Sequence, residues 1–185
     1  LRLAERGAPV VVVNPTAPIG PWDVKPTPTG KMVLDFMKRR IPAYLSTGLN
    51  VVDVADVTEG HILALERGKI GERYILGNQN MTLKELFASL SEITGFPAPR
   101  LLLPYWLVIG AGYLDRTFTS GLLRRQPAIP LEGILASKKA AWVSCDKAIK
   151  ELGLPQSPVN GALKKAVQWF AEHEYVKGYV KLGAA

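Results

Sequence analysis

Two spacings of apolar residues alternate along the chain. Val10, Val11, Val12 and Val13 form an unbroken β-branched run, the pattern of a strand covered on both faces, so residues 9–14 are expected to form a parallel strand. Residues 1–9 read as the last turns of a helix. The strand runs into a Pro- and Gly-rich stretch, residues 15–30, too long to be a simple connection. Residues 31–40 follow as a helix, with Met32, Leu34, Phe36 and Met37 supplying its apolar surface. Residues 43–45 and 50–54 read as short strands separated by the Ser46-Thr47-Gly48 turn. A helix over 55–67 then ends at Gly68, with Asp53 or Asp56 placed to cap its first N–H groups.

Residues 73–77 read as another strand. The helix after it has the clearest local signature: Thr82 and Glu85 form a capping-box pair, and Leu83, Leu86, Phe87, Leu90 and Ile93 make one stripe. Gly95 and Pro97 end it. Residues 101–114 are the most apolar stretch, but Pro104, Gly110 and Gly112 interrupt it. It also falls short of the roughly 20 residues that span a bilayer, so a buried or interfacial helix is expected. A helix over 144–152 closes at Gly153. A last one opens at Ser157-Pro158 and presents Leu163, Val167 and Phe170 inward.

Strand, loop, helix, strand, helix, strand, helix and then a mainly helical region is the order of an α/β fold, the later part of a doubly wound parallel sheet plus a small helical substrate-binding domain. A parallel strand at 9–14 needs neighbours and a crossover before it. Residues 1–185 are therefore expected to form the C-terminal part of a larger α/β protein. Within them, residues 1–95 are assigned to the dinucleotide-binding domain, interleaved with substrate-domain segments at about 20–54, and residues 96–185 to the helical substrate-binding region.

Composition narrows the classes. One cysteine, Cys145, excludes an internal disulfide and suits a reducing, cytoplasmic compartment. Its surroundings read as a small buried or helix-start position. His61 and His173 stand in no metal-ligand spacing, so no metal is expected. Of the net charge of +7, residues 116–185 carry +6, with 11 Lys and Arg against 5 Asp and Glu. Arg124-Arg125, Lys138-Lys139 and Lys164-Lys165 are separate pairs. They read as solvated helix faces, or as attraction for an anionic substrate or an acidic membrane surface. Without a recognised binding module or a basic stripe interleaved with aromatics, nucleic acid is not expected.

Three segments in order carry a resemblance: Val13-Asn14-Pro15-Thr16 with Ile19-Gly20-Pro21-Trp22-Asp23; Asn50 through Leu65, a Val- and Asp-rich strand end running into a helix with His61 and Leu63-Ala64-Leu65; and Gly71 through Asn78 with Met81-Thr82. Together they resemble the extended short-chain dehydrogenase/reductase superfamily, in its NAD-dependent epimerase/dehydratase group. The nearest flavour is the dihydroflavonol-reductase-like branch, with hopanoid-associated sugar epimerases as the best match. The resemblance implies a Rossmann-type sheet and an NAD or NADP cofactor, with Pro15 and Thr16 flanking the nicotinamide and Asn14 offering its amide to a small-molecule substrate.

The family's Gly-rich phosphate turn is not found here, and none of the six tyrosines has Lys four positions later. The chain alone is therefore expected to be inactive, with no catalytic residue of its own, inside an oxidoreductase or epimerase parent. Asp23 with the 26–28 loop reads as part of a substrate entrance or as a surface turn. The family's nucleotide-sugar epimerases often place an Arg diphosphate clamp where Leu49-Asn50 stands, which favours a more apolar substrate over a sugar nucleotide. Tyr105 and Trp106 read as pocket lining, lipid-facing residues or core. The alternative class is a non-catalytic binding or membrane-surface module using the basic, apolar C-terminal region. Peripheral membrane contact and a homodimer both stay open.

Overall fold

A computed structural model describes residues 3–107, 109–110 and 142–176. Its strands form three parts. β1 (Val12–Pro15) pairs in parallel with β5 (Arg73–Leu76), with Val13 opposite Tyr74. The Thr16 N–H extends that ladder to the Leu76 carbonyl at 3.1 Å, and the chain continues into β2 (Ala17–Ile19). β2 lies parallel to β4 (Gly48–Asp53), and β6 (Gln79–Thr82) pairs antiparallel on the other side of β4. β3 (Ala43–Leu45) and β7 (Leu101–Leu103) form a separate parallel pair.

Among the described residues, the helices that cover these strands are α1 (Pro28–Met37), α2 (Val54–Arg67), α3 (Leu83–Thr94), α4 (Asp146–Leu152) and α5 (Val159–Glu172). Their ends obey local chemistry. Asp53 caps α2 by accepting from the Ala55 N–H at 2.9 Å. Thr82 and Glu85 close a reciprocal capping box on α3, which holds the Glu85 carboxyl below its ordinary range. Gly95 ends that helix in the left-handed region, at φ 73°.

β4 divides the interior because its side chains alternate. Val51 joins one core with α1, α3 and α5, where Phe36 stacks on Phe87 at 5.8 Å between ring centres and Phe170 is fully buried. Val52 joins the other, with Val57, Leu63, Tyr74, Leu76, Ala148 and Leu152 from α2, β5 and α4. A strand covered by helices on both faces is the doubly wound α/β arrangement. α4 and α5, separate from the sheet in sequence, are thus built into both cores.

Several elements differ from expectation. The run at Val10–Val13 is half-buried, since β5 is β1's one strand neighbour among the described residues. Of the described residues of the expected first helix, only Ala4–Arg6 is helical, as a 3₁₀ turn. The long loop is shorter than expected: β2 forms within it and α1 starts at Pro28, with Thr27 as its cap. β6 was not anticipated. The expected helix over 101–114 is corrected at its start, where Leu101–Leu103 pairs with β3 as a strand, and Leu101 and Leu102 are exposed rather than buried. Residues 105–107 are helical. Residues 108 and 111–114 of that segment, and the basic pairs at 124–125 and 138–139, lie outside the described residues.

Candidate functional site

The carboxyl end of a parallel strand is where an open α/β sheet presents a ligand crevice. At the end of β1, Asn14 and Pro15 are exposed and Thr16 is half-buried. With Leu49, Asn50 and Val143 they line a hollow of about 310 Å³. Asn50 is the residue that fixes it. Its side chain is buried in the middle of a Val-rich strand, where an amide persists only if its groups are paired. Asn50 Oδ1 accepts from the Thr16 hydroxyl at 3.0 Å and the Asn78 N–H at 2.9 Å. Its Nδ2 donates to Asn80 Oδ1 at 2.9 Å and to the Asn78 carbonyl at 3.2 Å. Gly77 permits this approach, because a Cβ there would stand 2.3 Å from Asn50 Oδ1.

The network reaches across the sequence. Asn78 Nδ2 donates to the Ser157 carbonyl at 2.7 Å, and Asn80 exchanges hydrogen bonds with the Val143 backbone in both directions. Two further stitches lie close by. The Asp56 carboxylate accepts from both the Ser157 N–H and hydroxyl at 2.7 Å. Cys145 is buried as expected, and that burial pushes its thiol pKa up, opposite to what a nucleophile needs.

A second, larger hollow of about 590 Å³ lies at the other end of β4. Here the Asp53 carboxylate, 1% exposed, accepts from Lys165 Nζ at 2.8 Å, and that bond holds the lysine pKa above its ordinary value. Asp23 also lines this hollow, where it accepts from the Thr27 N–H and hydroxyl. Trp22 stands at its rim, 78% exposed at φ 70°. A third hollow, about 410 Å³, is lined by Tyr105 with Leu45, Ser46, Thr47 and residues 102–104.

The structure therefore separates the sequence-derived residues. Asn14, Pro15 and Thr16 share one hollow, Asp23 belongs to the second and Tyr105 to the third. Trp106 is 72% exposed and lines none of the three. Sequence reasoning missed Asn50, Asn78 and Asn80 as a unit. Among the described residues, no group of three or more His, Cys, Asp or Glu gathers to hold a metal ion, and no helix is long and apolar enough to cross a membrane.

Comparison with known proteins narrows the family. A putative dihydroflavonol 4-reductase from Synechocystis is 47% identical over 181 residues, 96% of this chain and 52% of that protein. That similarity along nearly the whole chain is consistent with a part of an extended short-chain dehydrogenase/reductase. Sterol demethylase protein B of Methylococcus capsulatus is 34% identical over 91% of this chain and 52% of its own length. The crystal structure of a nucleoside-diphosphate-sugar epimerase from Pseudomonas aeruginosa superposes with a TM-score of 0.79 at 28% identity, over 95% of this chain and 52% of that one. No family model matches the chain. The chain spans about half the length of the curated relatives it matches, in accord with the expectation that it corresponds to one part of a longer α/β protein. The Rossmann-type architecture expected from the sequence agrees with these structures.

Proposed function

We propose that this chain forms the substrate-side wall and the nicotinamide-flanking strand end of an NAD- or NADP-dependent reductase or epimerase. One observation carries the reading: in a chain with these relatives, Asn14, Pro15 and Thr16 line one hollow at the carboxyl end of β1, and Asn50 fixes the Thr16 hydroxyl there. The hollow suits a flat, weakly polar ring. Pro15 offers it an apolar wall without an N–H. Thr16 turns its hydroxyl away, into Asn50. The Asn14 amide is exposed, with no hydrogen-bond partner among the described residues, and stays free for a substrate oxygen. The nicotinamide, when bound, supplies or accepts the hydride at a carbinol carbon.

The chain's own part is positional. Pro15 and Thr16 set the wall, Asn14 orients the substrate, and Leu49 keeps the far side of the hollow apolar. None of the six tyrosines here stands in a Tyr-x-x-x-Lys spacing, so the proposal assigns proton relay and phosphate binding to residues outside this sequence and leaves the chain alone inactive. Leu49 at the position of the family's phosphate clamp supports an apolar substrate. The 28% identical epimerase from Pseudomonas aeruginosa supports a nucleotide sugar as the second reading.

The test uses the natural full-length protein. Pro15→Gly should raise the NADH or NADPH dissociation constant about tenfold, ~1.4 kcal/mol. Asn14→Ala should raise the substrate KM about fivefold while leaving cofactor affinity within about twofold. Wild-type values for both variants would refute the assignment. Turnover of an apolar ketone or alcohol, but not of a uridine-diphosphate sugar, would select between the two substrates.

A further inference from the structure

The edge of the molecule formed by β3, β7 and the turn after them joins two features. Apolar side chains protrude there: Leu101, Leu102, Trp106 and Leu107 are 58%, 50%, 72% and 43% exposed. Cations gather at the strands' starting end. Lys38, Arg39 and Arg40 lead into β3, Arg100 immediately precedes β7, and the parallel register Ala43↔Leu101 brings the two approaches to the same end. The Arg39 guanidinium lies 4.4 Å over the Phe96 ring, tying those approaches side by side. Arg39, Arg40 and Arg100 are all exposed. Neither residues 36–52 nor residues 93–114 include an Asp or Glu, so no carboxylate in either stretch offsets these cations.

We propose that this edge docks on an anionic lipid bilayer surface. Contiguous exposed apolar side chains mark interaction surfaces. The chemistry of this patch selects the partner: Trp settles at the headgroup level, leucines enter the acyl boundary, and exposed guanidinium groups bind lipid phosphates. Two adjoining stretches without a carboxylate give a charge complementary to an anionic sheet. The attachment is peripheral. It is carried by residues 38–40 and 100–107, not by the Lys164-Lys165 pair on α5.

Flotation of the protein with phosphatidylcholine vesicles, and with vesicles holding about 30% phosphatidylglycerol, tests this at about 50 mM salt. The protein should bind the anionic vesicles about tenfold more tightly, and binding should weaken as salt is raised. Arg40→Glu with Arg100→Glu should lose about tenfold, and Leu102→Ser with Trp106→Ser a similar factor. Lys164→Glu, on an exposed face of α5, should change binding less than about twofold. These are surface positions, and circular dichroism verifies that each variant folds. Equal or absent binding to both vesicle types overturns the proposal. So does a loss for Lys164→Glu as large as for the Arg pair, which would mean general charge attraction. A dimer in sedimentation velocity that Leu102→Ser with Trp106→Ser dissolves would give the edge to a second copy instead.

Discussion

The two ends of β4 are finished in opposite ways. At its start, Asn50 pairs only with neutral groups, the Thr16 hydroxyl and the Asn78 and Asn80 amides, in a net that rigidifies the end of β1. At its finish, Asp53 holds Lys165 across an ion pair whose lysine side chain is 55% exposed. The neutral end gains geometric precision, because the Asn50 amide is buried and each of its polar atoms is matched. The charged end combines a helix cap with a solvent-screened pair, so its electrostatics tolerate loss. On that contrast rests the proposal that the smaller, uncharged hollow, rather than the larger charged one, is the wall for a nicotinamide.

The largest effect should come from breaking the neutral end. Asn50→Ala strands the Asn78 N–H, leaves the Thr16 hydroxyl only its 3.4 Å bond to the Leu76 carbonyl, and should cost about 2–3 kcal/mol in urea unfolding. A loss below about 1 kcal/mol would mean that water replaces the amide and the net is not rigid. Asp53→Ala should cost less, about 1–2 kcal/mol, mostly through the lost α2 cap, because the released Lys165 is largely solvated. Thr82→Ala, beside the start of β4, should cost about 1 kcal/mol through the α3 cap.

The smallest effect is in pH dependence. Folded Lys165 has its pKa raised above the ordinary 10.5, chiefly by its hydrogen bond to Asp53. The pair therefore stabilises fully below that pH, and the contribution disappears as pH rises through the folded value. Lys147, raised by Glu72, adds a slope of the same sign. The difference between wild type and Asp53→Asn above pH 10.5 isolates the Lys165 part, expected at under about 1 kcal/mol. Any alkaline slope from the Lys165 pair should persist in Asn50→Ala.

What was legible in the sequence was what is local. The Thr82–Glu85 box, the α3 stripe and the closing Gly95 all act within a few residues, and all three stand in the structure. The buried Cys145 at a helix start and a cap on α2 by Asp53 or Asp56 were also readable, and the structure selects Asp53. β6 was not, because Gln79-Asn80-Met81-Thr82 lacks strand composition and is held extended by pairing with β4. Leu101–Leu103 has no period of its own, so only its pairing with β3 makes it a strand. The start of α1 was signalled by Thr27-Pro28 but hidden in a Pro- and Gly-rich stretch.

At the site, the strand end at Asn14–Thr16 followed from the family motif, while the asparagine net joins residues 28 to 79 positions apart in sequence. One signal was available. An Asn inside Asn50-Val51-Val52 has to be paired if the strand is buried.

The most direct test asks which end of β4 the cofactor meets. Cys145 is buried, so thiols can be placed in the natural full-length protein, with any reactive cysteine outside this chain replaced by Ser, at Asn14→Cys and, separately, at Trp22→Cys on the rim of the charged hollow. Maleimide labelling rates are then compared with and without saturating NADH or NADPH. Protection of about tenfold at the Asn14 position, with less than about twofold at Trp22, is the result this account predicts. Protection at Trp22 with none at Asn14 would contradict it.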